Sequence, residues 1–319
     1  MAEKKVDVFD IYAPVLIPTM CRYDHFLRCL ESLSHCTWAD RTEVYIGLDF
    51  PTREIHWEGY LKIKAFLGSC GNLGFKKLIV FVREKNYGFG PTGNGMALIN
   101  EVEKKYDRYI FSEDDNEFSP NFLVYQNRAL EKYKNEDRVT HICAYTHEHL
   151  QGITSSNIFC NIDCPAYGVG HWFMKQKLMS SWDYKKILKT IKRHPLFSFK
   201  AAFDYPALMN QVITMIKMKK NHGDLRYASY NLFNDSFCIC PSISLSRNWG
   251  CDGTGEHSGI VRGVEDLKIS EDSDFKLDDI KLELPHGFKN LFNKGVVKGF
   301  SFLIMRFSVI LRTAKLLFE

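Results

Sequence analysis

Four short apolar runs, separated by three helix-like segments, constrain this chain more than any other feature. The runs are Ala13–Pro18, Glu43–Asp49, Lys77–Val82 and Arg108–Ser112; helical spacing covers Asp24–Ser34, Trp57–Leu67 and Gly93–Tyr106. Apolar strands alternating with helices predict a mostly parallel sheet covered on both faces. In such sheets ligands bind beyond the carboxyl ends of the strands. The polar residues just past each run are therefore the candidate site: Pro18 and Thr19, Arg22, Asp49, the segment from Arg83 to Asn86, and Glu113-Asp114-Asp115.

The last group carries the most chemistry. Adjacent carboxylates at a sheet rim repel one another unless a cation compensates them. Hard oxygen ligands suit Mn2+ or Mg2+, which keep waters and also bind substrate phosphates. A plain reading, a solvated acidic loop before the next helix, is the alternative. That helix is expected over Asn121–Tyr133, with Ser119 as its cap and Pro120 at its first position.

Beyond Pro120 the pattern loosens, and the second half is expected to complete the sheet and build an acceptor pocket. The 319 residues fit one large α/β domain with appendages. Net charge is +4, but residues 287–319 hold six Lys/Arg against Glu319 alone, leaving residues 1–286 at about −1. A near-neutral body argues against a nucleic-acid footprint. Ten cysteines and no visible secretory signal point to reduced thiols in the cytoplasm. The close pairs Cys160/Cys164 and Cys238/Cys240 lack CxxC spacing, so the cysteines read as small buried hydrophobes. In the tail, Phe300, Leu303, Ile304, Phe307, Ile310, Leu311, Ala314, Leu317 and Phe318 recur at helical spacing. Two arginines interrupt the stripe too often for a spanning helix. A basic amphipathic helix lying on the inner face of a membrane is expected over 288–319, with packing on the protein's own core as the alternative.

The motif YIFSEDDNEFSPNFLVY resembles the metal-binding strand of GT-A-fold glycosyltransferases, especially N-acetylglucosaminyltransferase I-like and family 2 enzymes. The similarity continues in order along the chain. APVLIPTMCRYDHFLRCLESL resembles the opening strand and helix, VYIGLDFP the strand ending in a base- or ribose-contacting aspartate, and NYGFGPTGNGMALINEV the segment before the metal strand. AYGVGHWFMKQKLMSSW resembles a glycine-rich turn near the sugars, and NWGCDGTGEHSG a closing loop, so the likeness spans about residues 13–260.

The resemblance implies a GT-A domain over 1–286, with a donor half to about residue 120 and an acceptor half after it, followed by the tail 287–319. It implies an inverting, metal-dependent transfer from a UDP- or GDP-sugar to a hydroxyl of a glycan or lipid-linked glycan. Asp115, which ends the triplet, becomes the direct metal ligand, with Glu113 and Asp114 acting through water or the ribose. Pro18, Thr19, Arg22, Asp49, Asn86 and Asn94 fall on the donor side; His171, Trp172, Glu256 and His257 on the acceptor side or closing loop. For Arg22 and Trp172 an ordinary surface arginine and a packed core aromatic are the equal alternatives. Asp224 matches the family's catalytic base by its spacing ahead of CPSISLSRNWG, with a helix N-cap as its other reading.

Two further classes remain. Gly88-Phe-Gly90-Pro-Thr-Gly93 is a literal GxGxxG between strand and helix, with Asp114 about twenty residues on. It would suit an NAD(P)-dependent oxidoreductase. The first glycine, however, should follow its strand almost directly, yet Arg83-Glu-Lys-Asn-Tyr87 intervenes. The third class is a non-catalytic, membrane-associated relative.

Overall fold

The computed structural model describes residues 11–253, 267–294 and 300–318. Its first half follows the alternation read from the sequence. In order come β1 (Val15–Thr19), α1 (Tyr23–Ser34), β2 (Glu43–Leu48), α2 (Trp57–Ser69), β3 (Lys77–Val82), α3 (Asn94–Glu103) and β4 (Arg108–Phe111). Then follow β5 (Asn116–Phe118), α4 (Phe122–Lys132), β6 (Val139–Cys143), β7 (Ile158–Asn161), β8 (Val169–Trp172), α5 (Phe173–Ser180), α6 (Tyr184–Arg193), α7 (Pro195–Asp204), α8 (Pro206–Met218), α9 (Gly223–Asn234), β9 (Phe237–Pro241) and β10 (Ser246–Asn248). Two helices, α10 (Phe288–Lys294) and α11 (Phe300–Phe318), end the chain.

One eight-stranded sheet runs through both halves in the order β3-β2-β1-β4-β8-β6-β9-β7. The pairs β3-β2, β2-β1, β1-β4 and β6-β9 are parallel, while β8 lies antiparallel to both β4 and β6, and β7 antiparallel to β9. This is the helix-flanked, mostly parallel mixed sheet expected of a GT-A-type fold. The strands form where apolar residues are continuous: β2 is buried at every position. The covering helices are amphipathic. Helix α1 turns Phe26, Cys29, Leu30 and Leu33 inward at helical spacing.

Two boundaries differ from the sequence reading. Helix α4 starts two residues later than Pro120, behind Asn121, because Ser119 spends its hydroxyl on Asn121 Oδ1 at 2.6 Å instead of capping the helix. The second half also forms a helical group, α6 to α8, punctuated by Pro195 and Pro206 in the first turns of α7 and α8. Asp183 caps α6 through the amide of Lys186, at 2.9 Å.

The tail packs onto that group. Val309, Thr313 and Leu316 of α11 are buried, and Arg312 reaches Asn210 and Thr214 of α8. The buried face thus shares only part of the stripe read from the sequence: Ile310 and Leu317 pack against the core, while Leu303, Ile304, Phe307, Leu311 and Phe318 point outward.

Candidate active site

Strand order reverses between β1 and β4, so the crevice at their carboxyl ends is where an open α/β sheet binds ligands. Thr19 and Arg22 leave β1 there, and Glu113, Asp114 and Asp115 leave β4. The structure brings Thr19, Arg22, Asp114 and Asp115 into contact. Thr19 donates its hydroxyl to Asp114 Oδ2 at 2.8 Å. The Arg22 guanidinium spans the two aspartates, pairing with Asp114 Oδ1 and, at 2.8 Å, with Asp115 Oδ2. Arg22 is therefore part of the site and not an ordinary surface arginine.

A short antiparallel ribbon delivers a second wall. Strand β10 pairs with β5 in the register Asn248↔Asn116. That register sets the Asn248 amide 2.5 Å from Asp115 Oδ1 and 2.9 Å from Asn116 Oδ1, while the Trp249 amide donates to the Asp115 carbonyl at 2.8 Å. Trp249 is clamped from the other side: its indole donates to Glu117 at 2.7 Å, Arg28 lies 4.5 Å over its ring, and its carbonyl lies 3.3 Å from His25. His25 also meets Asp252 at 3.1 Å. Gly250 is required here, since a Cβ would fall 2.0 Å from Asp115 Oδ2.

Charge at this crevice is unbalanced. Asp114 and Asp115 share the single guanidinium of Arg22 among the described residues, with Glu113 beside them in sequence. Burial pushes the Asp114 carboxyl up from its usual range, with Arg22 pulling the other way. Glu113 is reachable by solvent but crowded on most sides by protein. That crowding, then the charges of Asp115, Asp224 and Asp114, raises it to about 8. Among the described residues its carboxylate has no hydrogen-bond partner. An acidic group held this far up is one that a cation would relieve. Asp114 and Asp115 are already engaged by Arg22, Thr19 and Asn248, so the triplet is not a closed chelate. It fits an ion that takes one or two carboxylates and fills its other positions with water and phosphate oxygens, as Mg2+ and Mn2+ do.

Asp224 is solvent-accessible and lies within electrostatic reach of Glu113. It sits in the first turn of α9 but makes no side-chain capping bond, so the N-cap reading is not realised. Protein around it, then the charge of Asp163, raises its pKa to about 6. Its charge acts on both Glu113 and Tyr167. Tyr167 packs edge-on against Tyr145 at 4.9 Å, and Tyr145 against His147 at 5.1 Å.

Other sequence candidates occupy different places. Trp172 is buried, with its indole donating to the Leu130 carbonyl at 3.1 Å. His171 is enclosed by Tyr109, His141 and Tyr227, and burial drops its pKa to about 3. Both belong to the packed body of β8, so neither is presented to a sugar. Asp49 accepts from the amides of Phe50, Tyr87 and Gly88 at 2.8–2.9 Å. Asn86 donates to the Phe50 carbonyl, and Asn94 to that of Gly47. These three organise the glycine loop in this structure. Pro18 lies in β1 beside Thr19. Glu256 and His257 fall outside the described residues.

The glycine loop itself is a tight turn. Gly88 and Gly90 have φ of 61° and 87°, and Asp49 holds it from below. It hangs from β3, the sheet edge, whereas a dinucleotide fingerprint belongs to the strand at the reversal of order.

No family model matches the sequence, and no curated protein matches it. Among solved structures the chain is similar to a mannosyltransferase from Pyrobaculum calidifontis, PcManGT, in complex with GDP-Man and Mn2+. The identity is 10%, over 53% of this chain and 46% of that one, with a TM-score of 0.37. A TarS fragment (residues 1–349) from S. aureus gives 13% identity, 50% and 47% coverage and a TM-score of 0.35. Mouse xyloside xylosyltransferase 1 in its apo form gives 12%, 70% and 82%, and 0.33. The match spans less than half the length of the mannosyltransferase. The functional reading below therefore rests on the residues of the cleft.

Proposed function

We propose that this chain is an inverting glycosyltransferase, moving a sugar from a nucleotide-diphosphate donor to a hydroxyl of a glycan or lipid-linked glycan. The observations that support the reading are the Glu113-Asp114-Asp115 triplet, with Arg22 paired to both aspartates, and an acid, Asp224, whose charge acts on Glu113. Direct displacement at an anomeric carbon needs both. The acceptor oxygen attacks the anomeric carbon and its proton passes to the Asp224 carboxylate; the bond from that carbon to the diphosphate oxygen breaks, and a nucleoside diphosphate leaves. A carboxylate with a pKa of about 6 is mostly ionised at neutral pH and still basic enough to take a proton.

On the leaving side, Arg22 supplies fixed positive charge. Asp115, with Glu113 and Asp114 through water or the ribose, would hold Mn2+ or Mg2+, which would neutralise charge developing on the diphosphate. Tyr145 and Tyr167 offer apolar faces to a sugar ring. A thermal-shift panel of UDP-, GDP- and NAD-type ligands with and without Mn2+ tests the reading. Manganese-dependent stabilisation by a UDP- or GDP-sugar, lost in Asp115→Ala together with transfer, is the expected result. Stabilisation by NAD or NADP alone would reject it.

The acceptor side of the proposal includes a peripheral membrane contact at the cytoplasmic face. Among the described residues no helix is long and apolar enough to cross a membrane. Support comes from the helical group that α11 joins. Phe307, Leu311 and Phe318 are 67%, 70% and 90% exposed, and neighbouring α7 exposes Leu196 and Phe203. Helix α6 exposes Lys185, Lys186, Lys189, Lys192 and Arg193. Apolar side chains beside a basic helix suit an anionic lipid surface better than a packed protein partner.

A further inference from the structure

Away from the cleft, five side chains that ligate soft metals are buried together. Strands β6 and β9 are parallel neighbours in the register His141↔Cys238 and Ile142↔Ile239. Side chains alternate along a strand, so His141, Cys143, Cys238 and Cys240 project from the same face of the sheet. Cys164, just after β7, approaches from the connecting loop. All five are buried.

Their ligand atoms converge. The sulfurs of Cys143, Cys238 and Cys240 lie within 4.8 Å of one another; so do Cys143, Cys164 and a ring nitrogen of His141. Cys238 and Cys240 are most telling. Alternate residues of an extended strand stand about 6.6 Å apart, yet these two sulfurs are 3.7 Å apart. Both side chains therefore turn toward a common point. The separation is far beyond a disulfide's S–S bond of about 2.05 Å. It is close to the edge of about 3.8 Å expected for a tetrahedron with Zn–S bonds of about 2.3 Å.

Two independent observations point to a ligand. Nε2 of His141 is buried and has no hydrogen-bond partner among the described residues, while Nδ1 lies 2.8 Å from the Thr140 hydroxyl. Buried polar atoms are rarely left this way. Asn161 directs its amide to the Cys240 sulfur at 3.6 Å, the kind of support that fixes a metal thiolate.

We propose that Cys143, Cys238 and Cys240 hold a structural zinc-class ion, with Cys164 or His141 as fourth ligand. Closed, sulfur-rich and without an open position, such a site serves structure and not chemistry. It ties β6, β9 and the loop after β7 into one unit.

The test is metal analysis of the full chain purified without chelator under reducing conditions. About one equivalent of zinc per chain is expected, and cobalt exchange should give the intense bands of a tetrahedral thiolate site. Asp115→Ala should leave this zinc in place, which separates it from any ion at the acidic triplet. Cys240→Ser should weaken zinc binding by at least about tenfold, whereas Cys70→Ser, at a cysteine elsewhere in the chain, should not. If Cys240→Ser fails to fold, the wild-type protein decides: a strong chelator should lower its melting temperature and zinc alone should restore it. A folded, metal-free protein with ten titratable thiols, an indifferent melting temperature, or a disulfide among the four cysteines would each overturn the proposal.

Discussion

Asn248 holds Asp115 Oδ1 at 2.5 Å across 133 residues of sequence, and Gly250 lies so close behind that a Cβ would meet Asp115 Oδ2 at 2.0 Å. Gly250→Ala should therefore displace the one carboxylate assigned to direct metal ligation. Overpacking of this kind costs about 1–3 kcal/mol, so the variant should fold. A misplacement near 1 Å costs on the order of 10²-fold in rate, and that drop in kcat is the expected result. Wild-type kinetics in Gly250→Ala would show that the position of Asp115 is unimportant.

Arg22 is the cation that makes Asp114 and Asp115 tolerable side by side. Arg22→Met should destabilise the fold by about 3 kcal/mol, the scale for leaving a buried charge unpaired. The sign of its pH dependence follows from Asp114. A carboxyl raised above its unfolded value favours the fold in acid and loses that contribution as pH rises through its folded pKa. Without Arg22 that loss widens, so the deficit should be small in mild acid and grow toward neutrality. Mn2+ should stabilise the variant more than the wild type, because it replaces the missing charge. Equal shifts in both proteins, read by calorimetry from pH 4 to 8, would detach Arg22 from the cation site.

Asp224 and Glu113 titrate near 6 and 8 in the ligand-free protein. With saturating Mn2+ and donor, Glu113 should be held ionised and Asp224 should alone govern the acid limb. The plot of kcat/KM against pH should rise to a plateau with an apparent pKa of about 6. Asp224→Asn should abolish that limb and lower the plateau by roughly 10²–10⁴-fold, with donor binding intact. A variant that keeps the limb would send the base elsewhere in the cleft.

How much of this was legible in the sequence depends on the range of the interaction. Strands β1 to β4 were readable because each is a local apolar run, and the acidic triplet because it follows one directly. Asp224 was found through resemblance, and in the structure its charge acts on Glu113. Asn248, Trp249 and Gly250 fell within the motif NWGCDGTGEHSG, but the ribbon pairing of Asn248 with Asn116 left no local trace, so their individual roles, and His25, were missed. The same holds for the cysteines. CxxC spacing detects ligands on one turn, whereas Cys143 and Cys240 meet through neighbouring strands. Asp49, Asn86, Asn94, His171 and Trp172 were placed by position in the resembled motifs. In the structure each satisfies backbone or packing, a role that a polar or aromatic group near a strand end serves without leaving a distinct signal in the sequence.

The tail carries the last prediction. Deleting residues 288–319 would strip Val309, Thr313 and Leu316 from α7 and α8, so loss of membrane binding in that variant would be confounded by unfolding. The outward face offers a cleaner test, since Phe307 and Leu311 are two-thirds exposed and support no packing beneath them. Phe307→Glu with Leu311→Glu should leave the melting temperature nearly unchanged, as surface substitutions do. Co-sedimentation with vesicles containing anionic lipid should fall sharply, by losing two apolar anchors and gaining two like charges against the surface. Reversing Lys189 and Lys192 on α6 to Glu should weaken binding further, and only on anionic vesicles. Donor-dependent thermal shifts should persist in all these variants, because the cleft lies on other elements. Undiminished sedimentation of the double variant would remove the membrane from the reading and leave α11 as a packing helix alone.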